Sequence, residues 1–187
     1  YVTDGYHRIR KITPTGEVTT FAGSGYGDDN GTGTSAQFKR PMGMAVDGSG
    51  NLYVAEEEGR RIRKITSSGV VSTLAGSGDY DFAEGTGTAA KFRNPTGVAV
   101  DASGNLFVAD KDNHRIRKII SASGEVTTFA GSTEGYADGN GTAAQFKKPF
   151  DAVFDANGNM YVTDESDHRI RKITPAGAVT TFAGSSY

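Results

Sequence analysis

One unit repeats along the whole chain, and that periodicity constrains the fold more than composition or any single motif does. An aromatic residue recurs as Tyr1, Tyr53, Phe107 and Tyr161, at spacings of 52, 54 and 54 residues. An arginine recurs as Arg8, Arg61, Arg115 and Arg169, at spacings of 53, 54 and 54. The one-residue slips fall in turns, DGYHR against DKDNHR and TSSG against SASG, where a structural repeat absorbs insertions.

Each unit holds four strand-like runs separated by turn chemistry. In the copy at 95–131, GVAVD is followed by DASG, whose Gly104 can take a positive φ, and NLFVAD then closes a hairpin. HRIRKII and EVTTFAG follow, divided by SASG. Apolar residues sit on both faces of most strands, as in a sheet covered by neighbours on both sides. Four antiparallel strands stacked beside copies of themselves describe a blade of a β-propeller. Apolar residues make up only 36%, but the 26 glycines that a turn-rich array needs explain this, so disorder is not the reading.

The run PTGVAVDASGNLFVADKDNHRIRKI resembles the NHL repeat, and the likeness covers essentially the whole chain. The resemblance is to bacterial-type members of that family, whose repeats are near-identical. The resemblance implies an all-β propeller of four-stranded antiparallel blades. Tyr53–Ile65 departs mildly, with Glu56 and Arg60 where other copies have Asp and His, and Pro149–Asp155 departs more sharply. The expected domain is 1–187: a partial blade at 1–25 without its first strand, then blades at 42–78, 96–132 and 150–185, about 3.75 blades in all. That is too few for the six-bladed ring usual in the family. Three architectures stay open: part of a larger propeller, two copies completing one ring as a homo-oligomer, or four blades closing alone. Uncovered blade faces at the two ends are expected to associate.

A net charge of −2 argues against a general nucleic-acid surface, although RIRK is locally basic. No apolar stretch is long enough to cross a membrane as a helix. With no Cys there are no disulfides or thiolate metal sites, which fits a secreted bacterial protein or a cytosolic one. An extracellular or periplasmic location is the reading favoured.

Strand alternation puts the long connectors between blades and the turns after the second strand on one side of the disc, the default binding face. In each connector a stretch such as TAAQF predicts one helical turn capped by Thr. Phe38, Phe92 and Phe146 then anchor the connector on a blade, and Pro41, Pro95 and Pro149 set entry into the inner strand. Tyr80, Phe82 and Tyr136 are candidates to stack on a sugar ring or a partner's side chain, or to pack the connector on its own blade. Asp138, in DGNG, supplies oxygen ligands of the kind Ca²⁺ prefers, and calcium is the one cofactor candidate; otherwise no cofactor is expected. His7, His114 and His168 occupy equivalent places in different blades, so they are spread around the disc rather than convergent on a metal. Asp4 with Arg8, Glu56 with Arg61, Asp110 with Arg115 and Asp164 with Arg169 are expected to form repeated carboxylate–arginine bridges. At the channel mouth, Phe150 and Asp151 break the repeat, since other copies have Gly43 and Gly97 where Asp151 stands.

Two function classes follow. Near-identical blades provide a scaffold with equivalent loops, which points to a non-enzymatic binding module recognising a protein or glycan. The alternative, implied by resemblance to gluconolactonase-like hydrolases and amidating lyases, is a metal-dependent hydrolase or lyase with its site in the central channel. Such a site needs several side chains converging from different blades, and here the inner strands begin MGMAV, TGVAV and FDAVF, of which only Asp151 qualifies.

Overall fold

A computed structural model describes residues 1–185; residues 186 and 187, at the end of the expected domain, lie outside the described residues. The chain forms four antiparallel sheets arranged as consecutive blades. Blade 1 has β1 (Val2–Asp4), β2 (Arg8–Ile12) and β3 (Val18–Ala22). Blade 2 has β4 (Gly31–Thr32), β5 (Pro41–Val46), β6 (Leu52–Glu56), β7 (Arg61–Ile65) and β8 (Val70–Ala75), in the order β4-β8-β7-β6-β5. Blade 3 repeats this with β9 (Gly85–Thr86), β10 (Pro95–Val100), β11 (Leu106–Asp110), β12 (Arg115–Ile119) and β13 (Glu125–Ala130). Blade 4 does so with β14 (Gly139–Asn140), β15 (Pro149–Phe154), β16 (Met160–Asp164), β17 (Arg169–Ile173) and β18 (Ala178–Gly184).

The array is a partial propeller without a closed sheet. The inner strands β5, β10 and β15 lie against one another in turn, and β1 takes the place beside β5. Apolar clusters fill the gaps between consecutive blades: Ile9, Phe38 and Val54 in the first, Tyr53, Phe92 and Val108 in the second, Phe107, Phe146 and Val162 in the third. Blade faces therefore bury their alternating side chains against the next sheet, the packing that the doubly apolar strands anticipate.

The hairpin between the first two strands of a complete blade is closed by an aspartate. Asp47 Oδ1 accepts the N–H groups of Ser49 and Asn51, both at 2.9 Å, and Asp101 and Asp155 repeat the arrangement. Gly104 takes φ +82° in this turn, as DASG requires.

Two local expectations need correction. Each complete blade carries a fifth strand of two residues: the connector pairs with the blade's outermost strand, as Gly31↔Val71 and Thr32↔Val70 do in blade 2. The turn predicted within TAAQF is a short 3₁₀ turn at Gly33–Ser35, Gly87–Ala89 and Gly141–Ala143. Its cap residues Thr32, Thr86 and Asn140 make no side-chain capping bond, because they are already extended as edge strands. Pro41, Pro95 and Pro149 open the inner strands, and Phe38, Phe92 and Phe146 are wholly buried.

Candidate functional site

The side chains that define the polar face are held by a buried knot in each complete blade. In blade 3, Asp110 closes the second strand and Arg117 lies diagonally across on the third, with Val108 as its register partner. Arg117 Nη1 donates to Asp110 Oδ2 at 2.9 Å, and both side chains are fully buried. The same guanidinium donates to the carbonyls of Lys91 and Ala83 in the connector and lies 5.4 Å from the Phe92 ring centre. Arg63 and Arg171 repeat this, on Phe38 and Phe146, with Glu56 and Asp164 as their carboxylates. One arginine thus ties a connector, an aromatic anchor and a carboxylate together in a desolvated gap. Burial pushes Asp110 and Asp164 each up to about 6, against the opposing pull of the arginines and the hydrogen bonds they accept.

The expected bridges are corrected by one strand period. Asp4, Glu56, Asp110 and Asp164 do stand opposite Arg8, Arg61, Arg115 and Arg169 in register. The ion pairs, however, run to Arg10, Arg63, Arg117 and Arg171, two residues further along the same face. The carboxylate at the strand end turns inward, where the N–H of Lys39, Arg93 or Lys147 donates to it. The opposite arginine turns outward: Arg61 pairs with Asp28 at 2.8 Å, Arg115 donates to the Asn113 carbonyl at 2.8 Å, and Arg169 pairs with Asp167 at 2.9 Å. In blade 2, Glu56 with Gly59 replaces the Asp110–Asn113 pair, the longer acid filling the space left by the amide.

The connector aromatics form the rim. Tyr80 is flanked by Arg60 and Arg93, at 5.1 and 5.4 Å, and its hydroxyl donates to Asp112 at 3.0 Å. Phe82 lies under Arg115 and Arg117, and Tyr136 under Arg169 at 4.7 Å. Asp138 accepts from Arg171 Nη2 at 2.7 Å, which ties this acid to the knot of blade 4. These residues stand on two connectors, Tyr80 and Phe82 on one and Tyr136 and Asp138 on the next, all beside arginines, yet Tyr80 and Tyr136 keep half or more of their surface exposed. His7, His114 and His168 share a left-handed position at the turn before the third strand, with φ of 65°, 56° and 54°, and Arg60 takes the same place in blade 2.

Phe150 and Asp151 stand at the start of the inner strand β15, the place expected to border a channel mouth. A hollow of about 260 Å³ is lined there by Thr3, Met42, Thr96, Phe150, Asp151 and the two glycines Gly43 and Gly97. Those glycines are required by close approach: a Cβ on Gly43 would lie 2.6 Å from the Thr96 oxygen, and one on Gly97 would lie 2.6 Å from Asp151 Cα. Asp151 is exposed; its Oδ1 accepts the N–H of Ala152 at 2.9 Å, and its own N–H donates to Thr163 Oγ1. Lys111 lies 5.0 Å from the Phe150 ring centre and pairs with Glu165 at 2.7 Å, which fixes the ring from the loop side. Sequence reasoning passed over Thr3 and Thr96. Thr96 Oγ1 donates to the Phe150 carbonyl and Thr3 Oγ1 to that of Met42, so each joins one blade to the next. The available signal was the residue after the inner-strand proline, Met42, Thr96 or Phe150, which varies in an otherwise near-constant unit.

The NHL repeat model matches residues 92–119, and the Teneurin NHL domain model matches 12–91. The chain belongs to the NHL-repeat β-propeller family. Human NHL repeat-containing protein 2 is 31% identical over 176 residues, covering 83% of this chain and 24% of that protein. Among solved structures, a protein of unknown function from Bacteroides thetaiotaomicron superposes with a TM-score of 0.77 at 25% identity. An auxiliary nutrient binding protein from the same organism superposes with a TM-score of 0.71 at 21% identity, which shows the fold alone. Each of these two alignments covers 95% of this NHL chain and 44% of the solved one. The chain thus spans a quarter or less of the first curated relatives and under half of the first solved neighbours.

Proposed function

We propose that this NHL chain is a non-enzymatic binding module whose polar loop face recognises a glycan or a polar protein segment at the channel mouth. The observation that carries the reading is the pairing of Phe150 with the exposed Asp151 over the 260 Å³ hollow. An aromatic face beside a carboxylate suits a sugar ring: C–H groups stack on the ring while hydroxyls donate to the acid. Among the described residues lining the mouth, Asp151 is the one carboxylate, whereas a metal-dependent hydrolase of the gluconolactonase kind needs several converging ligands. Tyr80, Phe82, Tyr136 and Asp138 extend the surface outward along the connectors, where a larger ligand would reach them.

A glycan array followed by calorimetry tests this. Asp151→Gly and Phe150→Ala should each weaken the sugar identified by about tenfold, the weight of one or two lost contacts, with the thermal midpoint of Asp151→Gly unchanged. Binding that survives both substitutions but is lost in Tyr136→Ala would move the site to the connectors. A metal-dependent hydrolytic activity abolished by Asp151→Gly would replace the binding reading with the enzyme one.

A further inference from the structure

A second cavity lies on the opposite side of the disc, between blades 3 and 4, beneath the turns that follow β10 and β15. Its volume is about 300 Å³, roughly twice that of the ~150 Å³ cavity known to take benzene. Phe107, Phe129, Phe154 and Met160 supply its apolar wall, and Asp101 and Lys118 stand at its edge. Phe107 meets Phe129 and Phe154 edge to face, at centroid distances of 4.9 and 5.2 Å, so the wall is a preformed aromatic cleft.

The blade repeat itself shows what is missing here. In blade 2, Tyr53 donates its hydroxyl to Asp47 Oδ2 at 3.0 Å, and in blade 4, Tyr161 donates to Asp155 Oδ2 at 3.4 Å. The residue at that place in blade 3 is Phe107, which has no hydroxyl. Asp101 Oδ2 is left with the Asn105 amide alone, at 3.2 Å, while its Oδ1 is used by the turn. Between blades 2 and 3 the matching wall positions hold Tyr53, Leu74 and Val100, whereas this gap has Phe107, Phe129 and Phe154. An oxygen that the repeat equips with a phenolic donor thus faces an aromatic-walled cavity with that donor deleted. Lys118, whose ammonium lies 5.6 Å from the Phe107 ring centre, lines the same cavity and offers it a hydrogen-bond donor.

We infer that this cavity binds a small phenol, its ring among Phe107, Phe129 and Phe154, its hydroxyl donating to Asp101 Oδ2 and accepting from Lys118. The ligand restores from outside the hydroxyl–carboxylate bond that blades 2 and 4 make from within. The site is independent of the channel mouth, from which it is separated by the length of the blade strands.

The test uses 4-ethylphenol and 4-ethylanisole, which differ in the donor hydrogen, and the ¹³C methyl resonances of the three methionines. Met160 lines this cavity, Met42 lines the channel mouth, and Met44 serves as reference. The phenol should shift Met160 and leave Met42 in place, with the anisole about tenfold weaker, the value of one hydrogen bond to a charged acceptor. Phe107→Tyr is the decisive variant, because Tyr is what the neighbouring blades carry and the fold accepts it there. Its own hydroxyl should occupy Asp101, weaken the phenol about tenfold and erase the preference for phenol over anisole. The inference is overturned if phenol and anisole bind wild type equally, if Met42 shifts in place of Met160, or if Phe107→Tyr keeps the preference intact.

Discussion

Blade 1 and blade 3 are built from almost the same residues, yet one is open and the other enclosed. On the face turned toward the preceding blade, Val108, Ile119 and Val126 of blade 3 have no exposed surface, while the equivalent Val2, Ile12 and Val18 of blade 1 are 45%, 47% and 50% exposed. The ion pair changes with them. Arg117 and Asp110 are wholly buried 2.9 Å apart, whereas Arg10 and Asp4 stand 3.4 Å apart with about a quarter of each side chain exposed. Arg117 also holds two connector carbonyls and the Phe92 ring, for which Arg10 has no counterpart. The same strand sequence therefore yields a structural knot or an ordinary surface pair, according to whether a neighbouring blade and its connector cover it.

The largest effect that would break this comparison is at the arginines. Arg117→Met should cost about 3–5 kcal/mol, because it leaves Asp110 buried without its charge partner. Arg10→Met should cost about 1 kcal/mol or less, as exposed pairs do. Urea unfolding followed by hydrogen exchange in blades 1 and 3 reads both, and equal losses would mean that enclosure does not set the value of the pair.

A smaller effect is expected at the inner strands. Gly97→Ala forces a methyl group to within 2.6 Å of Asp151 Cα, an overpacking that should cost about 1–3 kcal/mol. Asp151→Gly at the equivalent place in blade 4, where the side chain is exposed, should leave the unfolding midpoint where it is. A neutral Gly97→Ala would show that the strands slide apart easily and that their spacing is not fixed by glycine.

The smallest effect is in pH dependence. The folded state raises Asp110 to about 6 from its ordinary 3.8, chiefly by burial, so it binds that proton more tightly than the unfolded chain. The stability this contributes is complete below 3.8 and is lost as pH rises through about 6. Asp110→Asn removes the titration, so its stability should fall less over that window than that of wild type. Asp47 and Asp155, held below their ordinary value by the hydrogen bonds they accept in the hairpin turns, act in the opposite direction but are common to both proteins, and superimposable slopes would refute the shift.

Much of the fold was legible because repetition multiplies weak signals. Recurring strand-like runs, with a turn of the DASG kind in three copies and of the SASG kind in four, leave few options besides stacked four-stranded sheets, and Pro41, Pro95 and Pro149 mark where inner strands begin. The candidate site was legible in part. Asp151 and Phe150 stood out as breaks in the repeat, and they line the hollow of about 260 Å³ at the start of the inner strands. Thr96 and Thr3 did not stand out, since hydroxyls that link blades look like ordinary strand residues. The arginine partners were misassigned because register places Arg115 opposite Asp110, but side-chain length and a turned strand end decide which guanidinium reaches the acid.

The sequence by itself determined the unit, its four principal strands, the turns between them and the number of copies, because these follow from local propensity and periodicity. Only the tertiary structure decided which faces are covered, which of two arginines enters the gap, and that Phe107 leaves an acid facing an aromatic cavity. Those outcomes depend on contacts between blades some 54 residues apart in sequence. Side chains identical in every copy acquire different surroundings there, and it is the surroundings that set burial, pairing and the room left for a ligand.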